Sequence, residues 1–213
     1  MKERPILFSA PMVRAILDGC KTQTRRVIIP DPKLVHCLVV NFDEPAYVES
    51  ARLFRNREAN AQGQIACPFG TVGDRLWVRE THSVSHGSSS FGGDYHSSCE
   101  VTYRAGGFKR LAYDGPHSAD PYQKAFERQR GDWRPSIFMP RWASRITLEL
   151  TAVRVERVQQ ITMGDAVAEG ILGDNYMARD NYRELWNSLN AKRGFEWDSN
   201  PWVWVIEFRR IEA

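Results

Sequence analysis

Apolar and polar residues alternate along several short stretches of this chain and take a helical period along a few others. Residues 5–8 read as a strand. Pro11 suits a first helical turn, and Met12, Val13, Ile16 and Leu17 then form one apolar helical face. Gly19 fits the end of that helix. A strand from Arg25 to Ile29 stops at Pro30-Asp31-Pro32. Residues 31–66 have weak periodicity, with a short helix expected around Tyr47 to Arg57. A turn at Gly70 to Asp74 leads into the alternating strand Arg75 to Thr81.

Residues 83–98, rich in Ser, Gly and His, read as a mobile loop, followed by a short strand from Glu100 to Arg104. Residues 105–133 form another polar excursion. Arg145 to Val158 is the longest strand signal. Ile146, Leu148 and Leu150 hold one parity, and Val153 and Val155 the other, a change of face that suggests a bulge or a corner. Thr162 can cap a helix with Asp165 as its capping-box partner, and Gly170 ends it. Arg179 to Asn190 places Tyr182, Leu185, Trp186 and Leu189 on one helical face. Trp202 to Ile211 is the last strand. Short strands with a few helices predict an α+β fold.

The 213 residues, 42% hydrophobic, can bury a core as a single domain spanning 1–213. No apolar run reaches the roughly 20 residues that span a bilayer, and no signal-peptide pattern is present, so no membrane partner and a cytoplasmic location are expected. Cys20, Cys37, Cys67 and Cys99 form no Cys-x-x-Cys pair and are expected as free thiols. The net charge is only +3, but the basic residues are 23 arginines and six lysines. Arginine makes bidentate contacts to phosphate and stacks on bases, which tilts the expected partner toward nucleic acid or nucleotides.

The densest candidate chemistry lies in Ile16-Leu17-Asp18-Gly19-Cys20-Lys21-Thr22-Gln23-Thr24-Arg25-Arg26. A lysine that can act as a base, threonines that can act as nucleophiles and two guanidiniums suited to phosphate crowd into six residues. The plain alternative is a polar helix-to-strand turn. Arg25, Arg26, Arg75 and Arg79 could form a phosphate-contacting face, or a solvated strand surface paired with Asp74 and Glu80. Trp142 beside Arg141 and Arg145 could clamp a base, or act as a lid. His82, His86, His96, Cys99 and His117 cluster in the middle third without meeting a strict zinc-ligand spacing, so no metal is expected.

Four stretches resemble the ASCH family: 16–26 just quoted, Gly73 to Glu80, Arg145 to Val158 with Ile161 to Gly170, and Pro201 to Arg210. Met139 to Arg145 resembles a segment of phage- and prophage-encoded ASCH-like proteins in particular. ASCH proteins are small β-barrels related to the PUA fold that act on or bind RNA and nucleosides. The resemblance implies a small PUA-like β-barrel with flanking helices and long insertions at about 31–66 and 83–134. Some members are amidohydrolases that remove the acetyl group from N4-acetylcytidine. It implies catalytic roles for Lys21 and Thr24 in the Gly-x-Lys-Thr-x-Thr segment and for Glu169 on the helix after the long strand, with no cofactor and a nucleoside or RNA as partner. A non-catalytic modified-base reader and a ribonuclease stay open beside the amidohydrolase.

Overall fold

The computed structural model describes residues 1–29, 37–38, 52–55, 64–91, 94–114, 122, 127, 132–171 and 175–211. In chain order the elements are β1 (Glu3–Leu7), α1 (Ala10–Leu17), β2 (Gln23–Val27), β3 (Cys37–Leu38), β4 (Arg52–Arg55), β5 (Gln64–Ala66), β6 (Arg75–Arg79), β7 (His82–Phe91), β8 (Asp94–Tyr103), β9 (Phe108–Asp114), β10 (Thr147–Arg157), α2 (Met163–Ala168), α3 (Ala178–Asn190) and β11 (Trp202–Ile211). The fold is α+β. One sheet runs β1-β6-β10-β11-β2, and two three-stranded sheets run β3-β4-β5 and β7-β8-β9. No closed barrel forms among the described residues. No helix there is long and apolar enough to cross a membrane.

The chain packs as two compact units. One comprises Met1–Arg4, Ala15–Leu76 and Leu148–Glu212; the other is built mainly from Pro5–Arg14 and Trp77–Thr147. In the first, β11 is buried almost throughout, from Val203 to Ile206 and again at Phe208, because it lies between β10 and β2. The burial of β10 shifts parity as its sequence predicts: Leu148 and Leu150 are buried, then Val153 and Val155. Val203 and Val205 of β11 join Ala166, Ala178, Tyr182, Trp186 and Trp197 in one core, so α2 and α3 cover that face of the strand. Trp197 is thus a core residue.

On α3 the buried positions are Ala178, Tyr182, Trp186 and Asn190, spaced four apart. Leu189 falls outside that stripe and is 60% exposed, contrary to the apolar face read from the sequence. The Asn190 amide donates to the Trp186 carbonyl at 3.1 Å, which lets a polar residue take the buried position.

In the second unit, residues 83–91 and 94–98 lie in paired strands instead of the expected loop. β7 and β8 pair antiparallel from His82↔Tyr103 to Phe91↔Asp94, and β9 extends the sheet. Val84, Cys99, Val101 and Tyr103 drive the pairing by packing on Met139 and Ala143. Arg52–Arg55, where the sequence suggests a helix, is strand; the rest of 47–57 and His117 lie outside the described residues.

The Asp74 carboxylate accepts hydrogen bonds from the Lys2 N–H at 2.7 Å, Arg4 at 3.0 Å and the Thr71 N–H at 3.3 Å. The Lys2 backbone donor leads in lowering its pKa to about 2. A carboxylate depressed in the folded state adds stability above its unfolded pKa and loses it as pH falls toward 2. Asp74→Asn therefore flattens the stability profile below pH 4, a change that denaturant melts at pH 2.5, 4 and 7 will read.

Candidate active site

The site grows out of two helix ends. Gly19, at φ +77°, closes α1, and the Cys20 and Lys21 N–H groups both donate to the Ala15 carbonyl at 2.9 Å. The chain then runs past the end of α2. That helix begins with the capping box expected from Thr162 and Asp165: Thr162 Oγ1 accepts from the Asp165 N–H at 3.1 Å, and the Asp165 carboxylate accepts from the Thr162 N–H. It ends at Glu169, followed by Gly170 at φ +87°. A helix end leaves carbonyls unpaired. Here residues 21–23 satisfy them: the Thr22 N–H donates to the Ala168 carbonyl at 2.8 Å, and the Lys21 ammonium to the Glu169 carbonyl at 2.7 Å.

Lys21 also serves the sheet. β2 is the last strand of its sheet, and the Phe208 N–H of β11 donates to the Thr22 carbonyl at 2.9 Å. Backbone groups alternate in direction along a strand. The Gln23 carbonyl therefore points to the open edge, where Lys21 Nζ donates to it at 2.8 Å. The third contact of Nζ is the Glu169 carboxylate, Oε2, at 2.9 Å. Lys21 and Glu169 are each only 4% exposed and stand 148 residues apart.

Arg25 completes the cluster. Its side chain is wholly buried and holds three carboxylates: Glu156 at 2.9 Å, Asp165 at 3.3 Å and Glu169 Oε1 at 3.4 Å. Arg154 ties the same acids together, reaching Glu156 at 2.5 Å, Asp165 at 3.6 Å and also Glu207. Gln23 donates to the Asp165 carbonyl and carboxylate at 3.1 and 3.0 Å. Register explains the grouping. Val205 pairs with Arg25 and Val203 with Val27, so Gln23, Arg25 and Val27 share the face covered by α2 and α3. Thr24, buried at 4% exposure, alternates to the opposite face with its partner Ile206. The Lys21 amine is anchored on the carbonyl just before Thr24.

Burial pushes the Lys21 pKa below its ordinary 10.5; Glu169 opposes that shift, while the Arg26 and Arg25 charges add to it. Burial works to raise Asp165, but the Thr162 N–H, Gln23 and Arg25 hold it below the ordinary carboxylate value. Burial, helped by the Glu169 charge, lifts the Tyr182 phenol well above its usual range. Such shifted groups concentrate where a fold prepares chemistry.

Of the other sequence candidates, Arg26 and Arg75 are half-buried in this same unit. The second unit holds Arg79, Arg141, Trp142 and Arg145. Arg79 and Arg141 lie over the Trp77 ring at 4.7 and 5.9 Å. Arg145 stacks on Tyr103 at 3.9 Å and grips Glu80 with two hydrogen bonds of 2.9 and 3.0 Å. Trp142 meets Tyr122, 5.5 Å between ring centres. The two arginines beside Trp142 in sequence thus stack on other rings. The ion pairs expected of Asp74 and Glu80 go to Arg4 and Arg145.

Sequence reasoning missed Arg154, Glu156 and Glu207. Arg154 and Glu156 alternate with the buried Val153 and Val155 of β10, which reads as an ordinary solvated face. No group of three metal-ligating residues occurs among the described residues. No protein-family model, curated protein or solved structure matches this chain.

Proposed function

We propose that this chain is an ASCH-like, PUA-related protein that recognises a nucleoside or RNA and hydrolyses the amide of an N4-acylated cytosine such as N4-acetylcytidine. The observation that carries the reading is the buried Lys21–Glu169 contact at 2.9 Å. It joins the two ionisable residues that the resemblance singles out from opposite ends of the chain. In this reading neutral Lys21 takes the Thr24 hydroxyl proton as Oγ1 attacks the acetyl carbonyl. Lys21 then returns the proton to the departing cytosine amine, and Glu169 orients it. Water hydrolyses the acyl-threonine to acetate. Only the neutral amine can act as base, so activity rises with pH toward a Lys21 midpoint below 10.5.

One observation favours a second reading, a modified-base reader without chemistry. Three oxygens surround Lys21 Nζ at 2.7–2.9 Å, an arrangement that suits an ammonium. Incubation with N4-acetylcytidine and with its 2′-O-methyl analogue separates the readings. The hydrolase releases acetate from both. A ribonuclease needs a free 2′-hydroxyl and cleaves RNA instead, and a reader binds without turnover. Release from neither compound would sink the hydrolase. Thr24→Ala is expected to lower kcat by about a thousandfold or more, and activity within about tenfold of wild type removes Thr24 as nucleophile.

A further inference from the structure

Arg25 reads from the sequence as a phosphate contact, yet its side chain has 0% exposure and faces three carboxylates. The geometry points to Arg25 as the positioning residue of the Lys21–Glu169 pair, clamping the Glu169 carboxylate from the side opposite the lysine. This inference rests on the proposal that the pair is the working centre.

The argument is one of restraint. Glu169 offers Oε2 to Lys21 at 2.9 Å and Oε1 to Arg25 at 3.4 Å, so both oxygens are held. A carboxylate held at one oxygen turns about its terminal bond; one held at both does not. The clamp is itself anchored. Glu156 on β10 and Asp165 on α2 hold the same guanidinium, and Arg154 links these two acids to each other. A planar guanidinium can serve three acceptors in fixed directions, which a lysine ammonium on a flexible stem does not reproduce.

Arg25 also contributes charge. The charged groups facing Lys21 are Glu169 at the end of α2 and Arg25 and Arg26 on β2, while Tyr182 on α3 faces Glu169. Both arginines oppose protonation of the lysine. Removing Arg25 therefore favours the ammonium and withdraws the base, besides freeing Glu169. A role confined to stability would change neither property in a folded variant.

The test is an NMR titration of Lys21, labelled at Nζ and Cε and assigned through Lys21→Arg, in the wild type and in Arg25→Gln. The expected result is a Lys21 midpoint higher in Arg25→Gln than in the wild type. The acidic limb of the kcat profile moves the same way, with KM within about twofold. A folded Arg25→Gln whose Lys21 midpoint is unmoved overturns the inference. If that variant does not fold, Arg25→Lys decides, since it keeps the charge and loses the fork. Its Glu169 Cδ resonance broadens as the carboxylate gains freedom, and a resonance as sharp as in wild type overturns the clamp. The spectra need no substrate. A wild type that releases no cytidine therefore defeats the hydrolase reading while Arg25 is still judged on its own.

Discussion

Lys21→Ala is expected to abolish deacetylation and to lower folding stability by about 2–4 kcal/mol. Both effects come from one change. Losing the amine removes the base, so turnover falls to background. It also leaves the Glu169 carboxylate, 4% exposed, without its ammonium partner while Arg25 stays bonded to it, and leaves the Gln23 and Glu169 carbonyls without the lysine donor. Breaking a buried pair from one side typically costs about 3–5 kcal/mol, and the surviving Arg25 contact trims that figure. The double variant Lys21→Ala/Glu169→Ala should regain part of the loss, because the carboxylate is no longer stranded and Arg25 keeps Glu156 and Asp165. Urea unfolding of both variants at pH 7 reads this directly.

Burial that lowers a lysine pKa also sets the sign of the pH dependence of stability. Between the folded Lys21 midpoint and 10.5, the unfolded chain binds more protons than the folded one. In that window stability rises with pH where Lys21 alone is considered. In Lys21→Ala this contribution disappears.

Gly170→Ala should be nearly as damaging, at about 2–4 kcal/mol, and should disturb the same centre. Gly170 has φ +87°, where an L side chain is strained by about 1–3 kcal/mol. A methyl there would also lie 3.0 Å from Ala15 Cβ and 3.1 Å from Lys21 Cβ. Neither neighbour is the far end of a flexible side chain, so the backbone around Lys21 must move. Gly19 supplies the contrast. Its φ is +77°, but nothing lies within 4 Å of an added Cβ. Gly19→Ala should therefore cost only the conformational strain, about 1–2 kcal/mol, with turnover kept. Thermal melts and acetate release from the two variants check the pair. Equal losses in both would mean that close packing at Gly170 is not what matters.

Local grammar made part of this structure legible. The capping box at Thr162 and Asp165, the glycines ending α1 and α2, and the parity change in β10 each depend on residues within a few positions, and the sequence displays them. The Ser-rich stretch hides its strands because their support is not apolar content of its own. β7 carries few large apolar residues, and its partner β8 supplies Cys99, Val101 and Tyr103, with the Tyr103 hydroxyl fixed on the Ala143 carbonyl at 2.7 Å. That support comes from outside β7, where periodicity cannot see it. Leu189 failed for a related reason: the α3 stripe follows a spacing of four through Asn190, whose hydrogen bonds offset its polarity.

The meeting of Lys21 with Glu169 was accessible only through family resemblance, since nothing local links residues 148 apart. The acids gathered around Arg25 were not accessible even so. Charged residues inside a strand pattern usually mark a wet face, and only the register of β2 on β11 shows that Arg25 turns toward the covered side.

The most direct measurement is mass-spectrometric detection of cytidine formed from N4-acetylcytidine by the wild type and by a folded Lys21→Ala variant, side by side. Cytidine from the wild type alone is the expected result and assigns Lys21 to the chemistry. Equal release by both proteins, or release by neither, would contradict the role given to the Lys21–Glu169 centre.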